Sequence, residues 1–283
     1  IDGIDEGSVP NLGNIYVLRT EKTTDIKSMA GEYSRDPNVD YAEPDYLNEM
    51  YMVPNDPYYH SSGTWGQGYD DLWGLKADKL NCELGWDMAQ GEGVVIAVID
   101  SGVDYNHADI QNNIDGNGYD FSGDIDVGDD PSLIVPDDDP MDYDGHGTHS
   151  AGIIAASGND IGIIGVAPKA KIMPVKIFPN AFNSVAADAI VWAADNGAKI
   201  LSNSWGPISR VPKNTTLELA VEYAYAKKCI VVFAAGNKND DVQYYSPANY
   251  DKTIAVAATN VSDKRPSFSN FGSTKHPYSQ KVK

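Results

Sequence analysis

Short apolar runs alternate with segments of helical spacing along the chain from residue 75 onward. The clearest run is Val94-Val95-Ile96-Ala97-Val98-Ile99, and further strand-like runs cover residues 171–177, 200–204, 230–235 and 253–258. Apolar residues at helical spacing predict helices at about 75–88, from 146, at 185–196 and at 216–226. Nearly continuous apolar strands that alternate with helices are typical of a parallel sheet covered on both faces. We therefore expect an α/β fold with a doubly wound parallel sheet.

The first part of the chain has a different pattern. An amphipathic helix is predicted over residues 24–33, with Thr24 or Asp25 as its cap, and strands are predicted at 14–18 and 39–44. Residues 1–53 are therefore expected to form a small α+β piece that is too short to be very stable alone. Residues 54–74 contain Pro, Asp and Gly and are expected to be an extended arm or linker. The main domain is then 75–283.

Several polar side chains that could form a functional site follow the predicted strands. Asp100, Ser204 and Asn237 lie at or just past strand ends, where sites form in parallel sheets. His146 opens a predicted helix in Asp144-Gly145-His146-Gly147-Thr148-His149. An acyl-transfer site needs a nucleophile, a base and a carboxylate that orients the base. Asp100 and His146 would supply the last two, and the alternative is that they are a strand-end cap and a surface residue.

A metal site is a competing interpretation of the same histidines. His146 and His149 stand three residues apart and would face one side of a helix, with Asp100 or Asp144 as a further ligand. No Glu stands where a zinc peptidase motif on a helix would place its general base.

Four sequence motifs resemble those of a known protein family. They are Ile99-Asp100-Ser101-Gly102-Val103-Asp104, Asp144 to Gly152, Ser202-Asn203-Ser204-Trp205-Gly206 and Ala234-Ala235-Gly236-Asn237, in that order. Over residues 54–272 the chain closely resembles the subtilisin-like serine peptidases. The resemblance implies that Asp100 orients the imidazole, that His146 is general base and then general acid, and that Asn237 donates to the oxyanion.

The resemblance also implies where substrate binds. Ser204, Trp205 and Gly206 would form a strand edge that pairs with an extended peptide, and Ala234, Ala235 and Gly236 would form a wall of the specificity pocket. The alternative for both segments is an ordinary strand end. Tyr245 lies near the expected pocket floor and would narrow it.

A structural calcium ion is the cofactor that the resemblance implies. Its ligands would be hard oxygen atoms, which suit calcium: the side chains of Asp56, Asp109 and Asn159 and the carbonyls of Ser157, Ile161 and Ile163. The alternative is a polar loop at a helix end. Residues 115–144 contain eleven aspartates and no Lys or Arg. This acidic loop either holds a second calcium ion or is a solvated surface.

The segment Pro37-Asn38-Val39-Asp40-Tyr41-Ala42-Glu43-Pro44 resembles the end of the family's inhibitory propeptide. Residues 1–53 would then be the second half of a propeptide, which in the family assists folding and lies across the substrate cleft. We expect the processing point within or beside residues 50–54. The resemblance implies polypeptide substrates and the chain's own propeptide as partners, secretion to the exterior, and a monomer.

The match ends before the nucleophile. After Pro266-Ser267-Phe268-Ser269-Asn270-Phe271-Gly272 the family continues into the helix that carries its serine, whereas neither Ser273 nor Ser279 has that context here. The chain, which begins at Ile1 without a visible signal peptide, is then expected to be a fragment of a secreted endopeptidase that is inactive as it stands. The alternatives are a short homologue that binds peptides without cleaving them and a calcium-binding structural protein.

The composition of the chain disfavours some classes of binding partner. The chain has 21 Lys and Arg against 41 Asp and Glu, a formal net charge of −20, which disfavours nucleic acid and anionic membranes. It has no apolar run of about 18 residues, the length that a membrane-spanning helix needs. The two cysteines, Cys82 and Cys229, lack metal-site spacing, and a buried free thiol is favoured for Cys229.

Overall fold

The chain forms two units, residues 1–50 and residues 51–283. The structure is a computed structural model that describes residues 16–21, 23–44 and 52–272. In the first unit, helix α1 covers Ile26–Tyr33, and its N-cap Asp25 accepts a hydrogen bond from the Ser28 amide at 3.2 Å. The sequence therefore placed this helix and one of its two candidate caps correctly.

The strands predicted on either side of α1 are not found in the described residues. Residues 16–18 and 39–44 have no strand structure, and Tyr16, Val17 and Leu18 are exposed. Residues 14 and 15 of the first predicted strand lie outside the described residues. An apolar run becomes a strand only when another backbone pairs with it, and the pattern of one segment cannot supply that partner.

The second unit contains a parallel sheet with helices on both sides. Its helices are α2 (Pro57–His60), α3 (Cys82–Met88), α4 (His146–Ala155), α5 (Asn183–Asp195) and α6 (Thr215–Ala226). Its strands are β1 (Val95–Asp100), β2 (Tyr119–Asp120), β3 (Lys171–Lys176), β4 (Ile200–Asn203), β5 (Ile230–Ala234) and β6 (Thr253–Val256). The described strands pair in parallel in the order β2-β3-β1-β4-β5-β6.

Alternate residues of β1 enter two separate cores, as the period of a strand requires. Ala97 and Ile99 belong to a core with α5 and α6, whereas Ile96 and Val98 pack with Ala151 and other residues of α4. Both faces of the central strand are therefore covered, which confirms the predicted doubly wound α/β sheet.

One local prediction was wrong, and one strand was missed. The helix expected at 75–88 is divided into a short 3-10 turn, Trp73–Leu75, and α3, because Asn81 before α3 has a left-handed backbone with φ of 54°. Apolar spacing does not report such a break. Strand β2 was missed because it is only two residues long and pairs at the sheet edge with β3.

Residues 54–74 pack as part of the second unit. Tyr59 in α2 is 1% exposed and lies in a core with Leu75, Cys82 and Trp86. Its hydroxyl donates a hydrogen bond to Glu83 at 2.7 Å. Near its start the segment is therefore packed into the core of the second unit, and it is not a free linker.

Part of the sheet lies open in the described structure. Ile230 on β5 and Ile254 and Val256 on β6 each expose roughly half of their surface, although they are apolar residues in strands. Neither Cys82 nor Cys229 forms a disulfide, and both are buried. No helix among the described residues has the length and apolar character needed to cross a membrane.

Candidate active site

Asp100 and His146 meet at the carboxyl edge of the sheet. Asp100 is the last residue of β1 and is 1% exposed, while His146 is the first residue of α4. The Nδ1 atom of His146 and Oδ1 of Asp100 are 2.7 Å apart, a hydrogen-bond distance. The side chain of His146 is 55% exposed, so one end of the ring is bound to a buried carboxylate while the ring can still reach a substrate.

Two glycines permit this approach of strand and helix. A Cβ atom at Gly147 would lie 2.0 Å from the carbonyl oxygen of Gly102, and one at Gly102 would lie 2.5 Å from the carbonyl oxygen of Pro140. Gly102 also has φ of 103°, a conformation that side chains rarely adopt. Larger residues at either position would push the start of α4 away from β1 and separate His146 from Asp100.

Asp142 organises the loop before α4, a role that the sequence did not reveal. It accepts hydrogen bonds from the Ser101 hydroxyl, from the amides of Asp144 and Gly145, and from both the amide and the hydroxyl of Thr148. Burial would raise the pKa of Asp142, but these hydrogen bonds outweigh it and the pKa lies below its usual value. An ionised carboxylate therefore fixes the loop that ends at His146.

The protonation of His146 is set by its neighbours. The hydrogen bond to Asp100 raises the pKa of His146, and partial burial, which lowers it, does not cancel that effect. Asp144 and Asp142 add further negative charge that favours the imidazolium form. The environment thus makes the ring a stronger base than a free histidine.

This raised pKa predicts the pH dependence of any reaction that needs a neutral His146. Because the base must be unprotonated, kcat/KM should fall as pH drops, with its acidic limb above the value of about 6.5 for free histidine. The change Asp144→Asn should move the limb to lower pH without abolishing activity. A pH–rate profile of both proteins measures this, and a limb that stays in place would contradict it.

The predicted substrate-binding residues line one cavity. A pocket of about 220 Å³ lies between the ends of β4 and β5. Its lining includes Ser204, Trp205, Gly206, Ala234, Ala235 and Gly236, together with Asn237 and Tyr245. The indole of Trp205 points inward, where its nitrogen donates to the carbonyl of Ile99 at 2.9 Å and its ring meets Phe233 edge-on at 5.0 Å. Trp205 therefore also joins the pocket to the strand that ends in Asp100.

The pocket has an aromatic wall with fixed geometry. Tyr245 is 6% exposed, and its hydroxyl lies 3.0 Å from Oδ2 of Asp240. Arg210 binds both oxygens of Asp240, at 2.6 and 2.7 Å, and brings the pKa of Asp240 down to about 2. The tyrosine ring is therefore restrained at the pocket surface, where it occupies space that a substrate side chain would otherwise use.

Asn237 lies on the loop after β5, at the mouth of the pocket. Its side chain is exposed, and among the described residues nothing forms a hydrogen bond with it. The preceding Gly236 has φ of 102°, so the chain turns sharply just before Asn237. The position leaves the side-chain amide available to a bound molecule.

The predicted calcium ligands converge at the loop after α4. Asp56 accepts from the Asn159 amide at 3.1 Å, and Asp109 accepts from the Ile163 amide at 2.9 Å. The Ser157 amide donates to the carbonyl of Asp109, and the Ile161 amide donates to the side chain of Asn159. Asp56 and Asp109 each bury a second carboxylate oxygen that has no hydrogen-bond partner in the described part.

The acidic loop is partly neutralised by a lysine. Lys176 at the end of β3 is 3% exposed and lies 3.1 Å from Asp120 and 2.6 Å from Asp124. Those two carboxylates therefore have a cationic partner. In residues 16–21, 23–44 and 52–272 there is no group of three or more His, Cys, Asp or Glu side chains placed to hold a metal ion, and His146 uses Nδ1 for Asp100.

Comparison with known proteins agrees with this geometry. The profile of the subtilase family, Peptidase_S8, matches residues 91–282. The chain belongs to the subtilase family. It is 39% identical to a thermophilic serine proteinase from Bacillus sp. (strain AK1), over 89% of this chain and 57% of that protein. It is also 39% identical to thermitase from Thermoactinomyces vulgaris, over 78% of this chain and 71% of thermitase.

A solved structure shows the same fold. A protease from Pseudoalteromonas arctica superposes with a TM-score of 0.68 at 32% identity, covering 78% of this chain and 70% of that one. A further relative is a calcium-dependent protease from Nostoc sp., 35% identical over 73% of this chain and 34% of its own length. Another is an extracellular protease from Xanthomonas campestris pv. campestris, 33% identical over 90% of this chain and 48% of its own length. The chain spans 57% of the length of the first relative named above.

Proposed function

We propose that the protein hydrolyses peptide bonds as a serine endopeptidase. The observation that carries this proposal is the 2.7 Å contact between a buried Asp100 and a half-exposed His146 in a chain of the subtilase family. A carboxylate that binds Nδ1 leaves Nε2 free to accept a proton from a nucleophile, which is the arrangement that acyl transfer requires.

The proposed reaction uses each residue in one role. A serine oxygen bonds to the scissile carbonyl carbon while His146 takes the serine proton, and the imidazolium is stabilised by Asp100. Asn237 donates to the oxyanion, and His146 then returns the proton to the departing amine nitrogen. Water repeats the sequence on the acyl-enzyme and releases the acid. The extended substrate pairs with the Ser204–Gly206 edge, and its side chain enters the pocket.

A second candidate is peptide binding without cleavage. Among the described residues, no serine hydroxyl forms a hydrogen bond with His146. The geometry of the described part therefore supports the roles of Asp100 and His146 and the presence of a pocket, but it includes no nucleophile. Binding alone would require only the pocket and the strand edge.

Assays of protein expressed from the complete gene separate these candidates. We expect cleavage of an unfolded protein such as denatured casein, abolished by a serine-directed fluorophosphonate and unaffected by a zinc chelator. Saturable binding of peptide products without turnover would establish the second candidate and overturn the first. Inhibition by the zinc chelator alone would instead support a metallopeptidase.

Calcium is the structural cofactor that we propose for the second unit. Burial raises the pKa of both Asp56 and Asp109 by more than their hydrogen bonds lower it, so a nearby cation would favour their ionised forms. Each has a buried oxygen that no group in the described part of the chain binds. The amide oxygen of Asn159 and the carbonyl oxygens of Ser157, Ile161 and Ile163 would complete a hard donor set. These residues fit calcium, which would offset the repulsion between the two carboxylates and fix the loop.

The remaining proposals concern processing and location. We propose that residues 1–53 are part of an inhibitory propeptide, residues 54–74 the arm that follows it, and residues 75–283 the peptidase domain. We also propose that cleavage occurs at 50–54, that the protein is secreted and that it acts as a monomer. The boundary between the two units at residues 50 and 51 supports that processing point, and N-terminal sequencing of the secreted protein would test it.

Tyr245 is expected to restrict the pocket to small side chains. Its ring lines the pocket and is anchored through Asp240, so Tyr245→Ala should raise the ratio of kcat/KM for Phe over Ala before the scissile bond by about tenfold or more. The matched control is Tyr244→Ala, which removes the neighbouring ring that stacks with Arg210 and does not line the pocket. An unchanged ratio in the Tyr245 variant would refute the assignment.

A further inference from the structure

Asn270 has a buried side chain whose contacts all go to one loop. The residue is 0% exposed. Its Nδ2 atom donates to the carbonyl of Ala235 at 2.8 Å, and its Oδ1 atom accepts from the amides of Lys238 and Asp240 at 2.9 and 3.0 Å. Its own amide donates to the carbonyl of Gly236 at 2.8 Å. One residue therefore binds backbone groups of Ala235, Gly236, Lys238 and Asp240.

These contacts lie on both sides of Asn237. Gly236 and Lys238, the residues directly before and after it, are each bound to Asn270, whereas the Asn237 side chain is exposed and without a hydrogen-bond partner in the described part. The backbone of Asn237 is thus fixed by its neighbours while its side-chain amide stays available. A donor that must meet a developing negative charge works best when its position is set in advance.

The fit between Asn270 and the loop is close. Gly236 has φ of 102°, and a Cβ atom there would lie 2.7 Å from Nδ2 of Asn270. The backbones of the two segments also pair around this point, because the Phe271 amide donates to Asp240 and the Val242 amide donates to Phe271. Loss of the buried carboxamide would leave two amides and a carbonyl without partners.

We infer that Asn270 is a positioning residue that sets the conformation in which Asn237 presents its side chain to the oxyanion. This inference rests on the proposed function for its kinetic consequence, while the loop conformation can be measured independently. Asn270 does not touch the reacting atoms, and its effect should pass through Asn237 alone.

A double-mutant cycle tests that pathway in protein from the complete gene. Asn270→Ala should lower kcat by about tenfold to a hundredfold, a share of the loss expected for removing the donor itself, with KM changed less than about twofold. In an Asn237→Ala background the same change should cost less than about threefold in kcat. Equal losses in both backgrounds would overturn the inference, since they would show a general structural effect.

Hydrogen exchange measures the loop directly and does not depend on turnover. The Lys238 and Asp240 amides should exchange at least about tenfold faster in Asn270→Ala than in the wild type. Gly236→Ala should have the same effect, because its Cβ atom would displace the Asn270 side chain. The control Asn113→Ala removes a buried side-chain amide that donates to the carbonyls of Ala155 and Pro168. It should leave the Lys238 and Asp240 amides protected from exchange. Unchanged exchange in Asn270→Ala would overturn the inference.

The two measurements separate failure of the inference from failure of the proposed function. If the wild type has no turnover, the proposed function fails, and the exchange rates alone decide whether Asn270 sets the loop. If the wild type is active but Asn270→Ala keeps its kcat, the inference fails and the proposed function stands.

Discussion

Replacing His146 by alanine in protein from the complete gene is expected to lower kcat for peptide hydrolysis by about a millionfold, the order of loss that accompanies removal of the corresponding base in subtilisin. Without the imidazole that lies 2.7 Å from Asp100, a serine hydroxyl has no acceptor for its proton and remains a weak nucleophile. KM should change little, because the ring does not line the pocket. Steady-state kinetics with a peptide amide substrate would measure both values.

His149→Ala is the matched control for this experiment. His149 lies on the same helix, is exposed, and belongs to the competing interpretation of the motif as a zinc site. Under the charge-relay account its removal leaves kcat within about twofold. Comparable losses from both histidine variants, together with restoration by added zinc, would contradict the account and favour the metal.

Removal of calcium is expected to produce the largest effect on stability. Binding at a concentration of about 1,000 times Kd stabilises a folded protein by roughly 4 kcal/mol, which for a domain of this size corresponds to about 10 °C in Tm. The physical reason is that Asp56 and Asp109 each bury a carboxylate oxygen that has no partner among the described residues. Thermal unfolding with calcium, with magnesium and with a chelator measures the difference.

A pair of variants locates the ion. Asp109→Asn should abolish most of the calcium-dependent rise in Tm, since it removes the charge of a proposed ligand whose carboxylate accepts a hydrogen bond from the Ile163 amide. Asp138→Asn removes a charge from the exposed acidic loop and should leave that rise unchanged. The reverse result would place the stabilising ion in the acidic loop, and a Tm equal in calcium and chelator would refute a structural calcium site altogether.

The central sheet and the dyad were predictable because their signals are local. Continuous apolar runs mark β1 and β3 to β6 within one or two residues of their observed bounds, and a short glycine-rich word around His146 identifies the start of α4. Strand ends in a parallel sheet meet at one edge. The proximity of Asp100 to His146 was expected from the family resemblance that the motifs around the two residues carry, and the two side chains lie 2.7 Å apart.

What the sequence did not reveal depends on contacts between distant segments. Asp142 was one acidic residue among many until the structure showed that Ser101 and Thr148 bind it. Asn270 lies in the Pro266–Gly272 motif, but no role was predicted for it because its partners lie some 30 residues away along the chain. Hydrogen-bond acceptors of this kind have no periodicity, and only the fold shows which backbone groups they satisfy.

The most direct test of the charge-relay account is covalent labelling with a fluorophosphonate, followed by mass spectrometry of the labelled peptide. In protein from the complete gene we expect rapid labelling of one serine, slowed by at least about a thousandfold in His146→Ala and unaffected in His149→Ala. Labelling at the same rate in wild type and His146→Ala, or none in either, would show that His146 does not activate a serine.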